Sequence, residues 1–517
     1  MKRTLYFICC LGFILFCSSC RKDFEFQAST GNLGFSKDTV YLDTIFANIG
    51  SSTYNLKVFN TSDDDISIPN VSLQNGENSG YRLNVDGQAG KSFQDVQILA
   101  KDSLFIFIET TFNTNNSPII DNQFVYTDKI LFDSGDNLQD VDLVTLVKDA
   151  IFIYPDKDNA TGIIETLTLT IDGESVATDI QGRELLPEEL TFTNQKPYVI
   201  YGYAAVPNGE TLTIDAGARV HFHANSGLLV SEGATLNVNG ALSSDPEVLE
   251  NEVIFEGNRL EPIYSDVPGQ WGTIWLFEGS QNNIINHATI KNATVGVLSD
   301  GNADAITDKL TITNSQIYNI STFGILGRNT SIKADNIVLN NAGQASFGAT
   351  LGGKYNVTHS TIANYWNSSF RQFPALLINN FVIDEENTAF ISDLTEANFS
   401  NCIIYGNDNP ELLIDQIEDA SVVFNFKFTN CLLRFQDSSN FFSSPNYDFD
   451  DATHYENMIF NQDPDFRDVF ENDMIIGENS AANGQGNTAF ATQVPNDILG
   501  VNRTTSPDLG AFQHITF

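Results

Sequence analysis

One six-residue frame returns through the second half of the chain and constrains its fold more than any other feature. It reads INHATI (285–290), ITNSQI (312–317), KADNIV (333–338), VTHSTI (357–362), FSNCII (399–404) and FTNCLL (428–433). The first four frames start 27, 21 and 24 residues apart (285, 312, 333, 357); the next steps are 42, across an insertion containing FVIDEENTAF, and 29 (399, 428). Steps of that size suit one turn of a coil of short strands, each coil stacked on the last, which is the pattern of a parallel β-helix. The third column of the frame holds His287, Asn314, Asp335, His359, Asn401 and Asn430. With coils about 4.8 Å apart, these side chains are expected to stack as a hydrogen-bonded structural ladder. The fourth column is small throughout: Ala288, Ser315, Asn336, Ser360, Cys402 and Cys431. Cys402 and Cys431 then become coil neighbours, close enough for a disulfide, with two stacked thiols the plainer reading.

Upstream, PNGETLTIDAGARVHFHANSGLLVSEGATLNVNGAL (207–242) alternates apolar and polar residues in very short runs divided by Gly, Asn or Asp. Pairs such as Leu212 and Ile214, or Val220 and Phe222, are too short for useful hairpins and again suit a coil with tight corners. Nearer the N-terminus, segments such as STYNLKVFNTSDDDISI and FQDVQILAKDSLFIFIETTF alternate with period two and are separated by turn residues. That is the pattern of a β-sandwich of immunoglobulin-like type. The expected organisation is all-β: a leader over 1–19, an anchor linker over 20–36, a sandwich over 37–154, a connector over 155–190, a parallel β-helix over 191–470 and a C-terminal cap over 471–517. The acidic loops at 60–65 and 133–140 offer oxygens for calcium, the one metal the sequence leaves open. Neither has EF-hand spacing, and solvated turns are the simpler reading.

The chain carries 66 Asp and Glu against 26 Lys and Arg, a net charge of −40. Without Lys2 and Arg3 the balance is 24 − 66, or −42. A nucleic-acid partner is excluded on this ground, because a phosphate backbone needs a basic footprint. Those two basic residues precede an apolar run from Leu5 to Phe16, too short to span a bilayer and typical of a secretory signal. The following CSSC resembles the lipobox of bacterial lipoproteins, with Cys20 as the acylated residue and Cys17 where that family usually has Leu. The next residues, RKDFEF, resemble the tag of surface-exposed lipoproteins of Bacteroidetes-type bacteria. The resemblance implies a protein held at the outer membrane by its lipid, with the membrane as its first partner.

The stretch from PYVIYGYAAVPNGETLTI through PGQWGTIWLFEGS to INHATIKNATVGV resembles right-handed parallel β-helix proteins of the pectate-lyase-like superfamily. Surface lipoproteins of Bacteroidetes that pair such a helix with an immunoglobulin-like domain are the nearest pattern. Near the C-terminus, Asp508, Leu509, Gly510, Ala511 and Phe512 are similar to their closing motif. The superfamily includes lyases, hydrolases, epimerases and adhesins, so the resemblance speaks for architecture and leaves activity open. Its lyases imply calcium held by aspartates beside a basic residue. Here Arg259, Lys291, Arg328, Lys333, Lys354 and Arg371 show no carboxylate pair at matching coil offsets, and none of the NTD, DD, GHG and RIK motifs of its hydrolases falls in the repeated frames, the DD pairs standing at Asp63 to Asp65 and at Asp450 and Asp451.

Two surface candidates remain. His221 and His223 share one side of a strand and are read as outward-facing imidazoles rather than as a metal edge. In WGTIWLFEG (271–279), Ile274 and Leu276 pointing inward would put Trp271, Trp275 and Phe277 outside, near Glu256, Arg259, Tyr264 and Glu278. Trp271, Trp275, Tyr264 and Glu278 would then form a sugar platform, unless that aromatic face is covered. The leading reading is an anchored, non-catalytic β-helix that binds carbohydrate. Its rivals are a polysaccharide lyase or glycoside hydrolase with an unfamiliar site, and a structural spacer. A groove with three carboxylates and a basic residue favours an enzyme; uncovered tryptophans favour a binder; covered ones favour a spacer.

Overall fold

The computed structural model describes residues 25–113, 123–171, 173–303 and 306–517, so the leader and Cys20 lie outside the described residues. The chain divides into two compact units, Met1–Asp149 and Ala150–Phe517. Each is built almost wholly of β-strands, and the second contains long parallel sheets.

The first unit packs a six-stranded sheet with a five-stranded one. Alternation dictates its core. In Tyr54–Asn60, Leu56 and Val58 are fully buried, and in the neighbouring Ser103–Thr110 so are Ile106 and Ile108, while Phe105 and Phe107 face out. Both acidic loops find local partners, although Asp133 Oδ2 is buried without one. Asp65 accepts from the Ala100 amide at 2.8 Å, Asp63 lies 3.0 Å from Lys101, and Asp140 lies 2.6 Å from Lys129. Among the described residues no group of three or more His, Cys, Asp or Glu is placed to hold a metal ion.

The second unit is a parallel β-helix whose coils contribute to an eleven-stranded and an eighteen-stranded sheet. It begins earlier than the sequence suggests. Ile151–Ile153 heads the smaller sheet by pairing with Tyr198–Ile200, and the hairpin formed by Thr166–Ile171 and Glu174–Glu184 joins the larger one through Gly182 and Tyr203. The expected connector is therefore the first part of the helix, its alternation blurred because most of that hairpin faces water. At the other end, the expected cap does not close the coil. Met474, Ile476, Ala482, Leu509, Ala511 and Phe512 pack sideways onto the outer face of Val338, Ala363, Ile403 and Leu432. Gly510, at φ +85°, is required there, since a Cβ would meet Thr361 Oγ1 at 2.7 Å and Ile403 Cδ1 at 2.8 Å.

The repeated column is a corner, not a strand position. His287, Asn314, His359, Asn401 and Asn430 all have φ between +46° and +54°. Such left-handed geometry turns the chain from one sheet into the next, and Asn tolerates it better than any other residue except Gly. This corrects the frame at one coil. Asn336, at φ +55°, holds the corner, and Asp335 ends the strand Phe323–Asp335. The register agrees, since Thr313 pairs with Asp335 and Asp335 with Thr358, each one residue before a corner. The ladder is also discontinuous. Asn336 Nδ2 donates to Asn314 Oδ1 at 2.9 Å, but Asn314 donates to Asn286 rather than to His287. His287 Nδ1 is buried without a hydrogen-bond partner, and burial lowers the imidazole pKa. Cys402 and Cys431 are buried free thiols that donate to backbone carbonyls, Cys402 to Ser400 at 3.3 Å and Cys431 to Phe399 at 3.4 Å.

Candidate functional site

Counting back from each corner gives the local geometry of the larger sheet. Ile312, Ala334, Val357, Phe399 and Phe428, two residues before the corner, enter the core. The residues on either side of them face out, and in register they form two rows. The row beside the corner is Thr313, Asp335, Thr358, Ser400, Thr429 and Glu456; the next is Thr311, Lys333, Asn356, Asn398 and Lys427. From Lys333 and Asp335 onward, and together with Asp308, they floor a cleft of about 600 Å³, bounded on one side by Asn487, Ala489, Phe490, Gln493 and Val494.

That wall is positioned by the corner column. Asn401 donates from Nδ2 to the Asn487 carbonyl at 3.0 Å and accepts from the Asn487 amide at 2.8 Å. Asn487 in turn caps the short helix Thr488–Ala491 by accepting from the Ala489 amide at 2.9 Å. Beside Asn401, His359 is clamped by a fully buried Arg503. Arg503 lies 2.6 Å from His359 Nδ1 and donates to Asn336 Oδ1 at 2.8 Å and to the Gly510 and Ala511 carbonyls at 2.9 and 3.1 Å. Burial, reinforced by the guanidinium, lowers the His359 pKa to about 3, and burial lowers that of Arg503 to about 10. At neutral pH the histidine is therefore neutral and the arginine charged.

In the cleft, each carboxylate stands near a lysine. Lys333 lies 3.4 Å from Asp335, Lys354 3.3 Å from Asp308 and Lys427 2.7 Å from Glu456. Asn398 donates to Asn356 and Asn356 to Glu396, each at 2.9 Å. The Asp335 side chain is only 12% exposed, and burial raises its pKa despite Lys333 and a Thr358 hydrogen bond that oppose the rise; Asp308 adds to it. The arrangement offers alternating charges, amides and hydroxyls along the coil axis. The sequence named Asp335 and Lys333 but assigned the first to the ladder and the second to no site, and it did not single out Asp308, Lys427 or Glu456. Placing Asn rather than Asp at the left-handed corner is the signal that exposes the row.

The proposed platform does not assemble. Trp271 lies in the core, stacked on Phe222 at 4.2 Å, with Nε1 donating to the Lys291 carbonyl at 2.9 Å. Strand alternation holds only over Ile274–Leu276; Gly272 and Thr273 bend the chain and return Trp271 to the interior. Tyr264 stands apart from Trp275, its ring 4.0 Å from the Arg259 guanidinium. Trp275 and Glu278 do line one cavity, on a different face from the cleft. There Trp275 packs edge-on to Phe277 and donates from Nε1 to Asp300 at 2.8 Å. The two imidazoles also differ from expectation. His221 is buried 3.5 Å from Glu256, which pairs with Lys291 at 2.9 Å, and only His223 is exposed, stacked on Tyr201.

No family model matches the chain, and no curated protein does. Three solved structures show distant likeness. The PapD-like domain 7 of human CEP192 is 9% identical over 26% of this chain and 94% of its own, with a TM-score of 0.15. A family 123 glycoside hydrolase from Clostridium perfringens is 8% identical over 24% of this chain and 30% of its own, with a TM-score of 0.16. The catalytic unit of a GH87 alpha-1,3-glucanase from Streptomyces thermodiastaticus is 9% identical over 73% of this chain and 78% of its own, with a TM-score of 0.22. At these TM-scores the likeness carries no argument about activity. The class of the protein rests on its own strands: an all-β chain with a two-sheet unit followed by a parallel β-helix.

Proposed function

We propose that the protein is a lipoprotein of the outer membrane, anchored through Cys20, that binds an extended carbohydrate chain along the cleft of its β-helix without transforming it. The observation that carries the reading is the pair of outward rows, in which Asn356, Asn398, Thr358, Ser400 and Thr429 repeat donors and acceptors at the coil spacing. A polysaccharide presents hydroxyls at similarly regular intervals, and hydrogen bonds to fixed amides and carboxylates supply orientation. A glycan array probed with residues 21–517, with and without EDTA, tests it: binding lost in Asp335→Ala and Asn398→Ala supports the cleft, and absence of binding to every glycan leaves the spacer reading. Labelling with a radioactive fatty acid, abolished by Cys20→Ser, tests the anchor.

A second reading, hydrolysis of the bound glycan, is favoured by the make-up of the cleft, where Asp308, Asp335 and Glu456 stand with Lys333 and Lys427, the three carboxylates and basic residue expected of an enzyme. Asp335 is a sheltered carboxyl with a raised pKa, as a general acid requires, and Asp308 faces the same cleft as a candidate base. Release of reducing ends that disappears in Asp335→Asn while binding persists would establish it, and unsaturated uronide release would point to a lyase.

A further inference from the structure

On another face of the β-helix, one outward row runs Trp275, Leu298, Leu326, Gly348 and Leu377 in register over five coils. Outward positions of a sheet that meets water are ordinarily polar, so a continuous apolar row needs a cover. At the Trp275 end it has one: Leu167 and Leu169 of the hairpin pack on Leu229 and Trp275. Past that cover the row opens into a cavity of about 690 Å³ walled by Trp275, Phe277, Phe323, Leu326, Phe373 and Phe381. Val382 and Ile383 stand at its edge, 47% and 53% exposed.

Several of the polar groups around this cavity are already engaged. The Trp275 indole donates to Asp300, Asp300 accepts two bonds from Arg328 at 2.5 Å, Thr350 donates to the Gly327 carbonyl at 2.8 Å, and Asn379 accepts from the Leu351 amide at 3.0 Å. Leu351, which also lines the cavity, is held at φ +55°, a conformation unfavourable for a bulky residue. Strain of this kind persists where surrounding structure enforces it and clusters at ligand-holding positions.

We infer that this cavity binds the acyl chain of an uncharged amphiphile, with a monoacylglycerol as the simplest example. A sugar would exchange water for rings and methyl groups and find Asp300, Arg328 and Thr350 already paired, with Glu278 and Asn329 too few to satisfy most of its hydroxyls. An acyl chain has no such requirement and gains from every apolar contact. The charge at the rim selects the head group. Of the lining charges, Glu278 and Asp300 against Arg328 give −2 + 1, or −1, and the Arg328 charge is committed to Asp300; Lys309 behind them, its pKa lowered by burial to about 7, is mostly neutral at pH 8. An anionic head is repelled there, and a neutral glycerol is not.

The site is separate from the carbohydrate cleft and stands or falls without it. Calorimetric titration of residues 21–517 with 1-monolauroylglycerol, below its aggregation concentration, should show one saturable site. Dodecanoate at pH 8 should bind at least about tenfold more weakly, and Val382→Asp and Leu326→Asn should each weaken monolauroylglycerol about tenfold. Asp335→Ala, in the other cleft, should leave its binding unchanged. No saturable binding by the folded protein, dodecanoate binding as tightly as the neutral lipid, or variants that bind like the parent would overturn the assignment. Circular dichroism of the two surface-facing variants separates a lost site from a lost fold.

Discussion

Replacing Arg503 by Met should loosen the C-terminal segment while leaving the coils beneath it intact. The guanidinium, fully buried, makes four contacts: to His359 Nδ1 at 2.6 Å, Asn336 Oδ1 at 2.8 Å, and the carbonyls of Gly510 and Ala511 at 2.9 and 3.1 Å. Hydrogen bonds from a charged donor contribute roughly 1.5–3 kcal/mol each, a nominal total of about 6–12 kcal/mol. Desolvating the cation opposes this by several kcal/mol, which leaves a net loss of about 3–5 kcal/mol when the charge is removed and its acceptors stay buried. Because the contacts join residues 503–511 to the coils at 336 and 359, the loss should be local rather than spread through the unit. Amide exchange monitored by mass spectrometry reads it directly. The Gly510 amide, bonded to the Asn401 carbonyl at 2.8 Å, and the Leu509 amide, bonded to Ala482 at 3.1 Å, should exchange roughly 100- to 3000-fold faster, since each 1.4 kcal/mol is a factor of ten. Strand amides of the corresponding coils should stay protected. Unchanged protection at Gly510 and Leu509 in a folded Met variant would refute the clamp, as would uniform deprotection of the whole helix.

Three further outcomes follow from the same geometry. The corner and the cleft should separate by one residue: Asn336→Ala loses its bonds to Asn314, Asn496 and Arg503 and puts Ala at φ +55°, a cost of about 3–4 kcal/mol by urea denaturation, whereas Asp335→Ala should change stability by less than about 1 kcal/mol. The His359 pKa of about 3 lies below its unfolded value, so the unfolded chain binds the extra proton between pH 6.5 and 3 and stability falls as pH drops through that window. His359→Asn should shrink the stability difference between pH 7 and 4.5 by about 2–3 kcal/mol, and an undiminished difference would place the acid sensitivity elsewhere. Trp271→Ala should destabilise the unit by about 3–5 kcal/mol, whereas Trp275→Ala, half-buried, should cost about 1–2 kcal/mol; equal effects would contradict their placement.

The parallel β-helix was legible because its signal is periodic. A corner that recurs once per coil marks the chain whether or not its chemistry is understood. The inward faces of strands in the first unit are legible for a similar reason, since Leu56, Val58, Ile106 and Ile108 follow strict alternation. Two kinds of residue escaped. Trp271 departs from alternation because the backbone leaves the strand before Ile274, at Gly272 and Thr273, and a side chain ahead of such a break no longer keeps the strand's face. The cleft escaped because its residues come from five coils and meet only through stacking, so Asp335 and Glu456, 121 positions apart (456 − 335), share a row that no local window contains.

Asp335 links the corner column to the cleft. KADNIV fits the frame in two registers, and apolar pattern alone does not choose between Asp335 and Asn336 at the corner. Backbone preference does, because Asn enters the left-handed region more readily than Asp at a repeated turn. Once the corner is Asn336, Asp335 turns outward beside Thr313 and Thr358, and a row otherwise occupied by hydroxyls there acquires a sheltered carboxylate. The corner column and the cleft are then mechanically connected rather than merely adjacent. Asn401 holds the Asn487 backbone that begins the cleft wall, Asn401 Nδ2 lies 2.9 Å from His359 Nε2, and Arg503 braces His359 from the opposite side. A change that releases Arg503 therefore reaches the wall through two residues, His359 and Asn401, and ligand affinity in the cleft should weaken with the amide protection of residues 503–511 even though Arg503 itself lines no part of it.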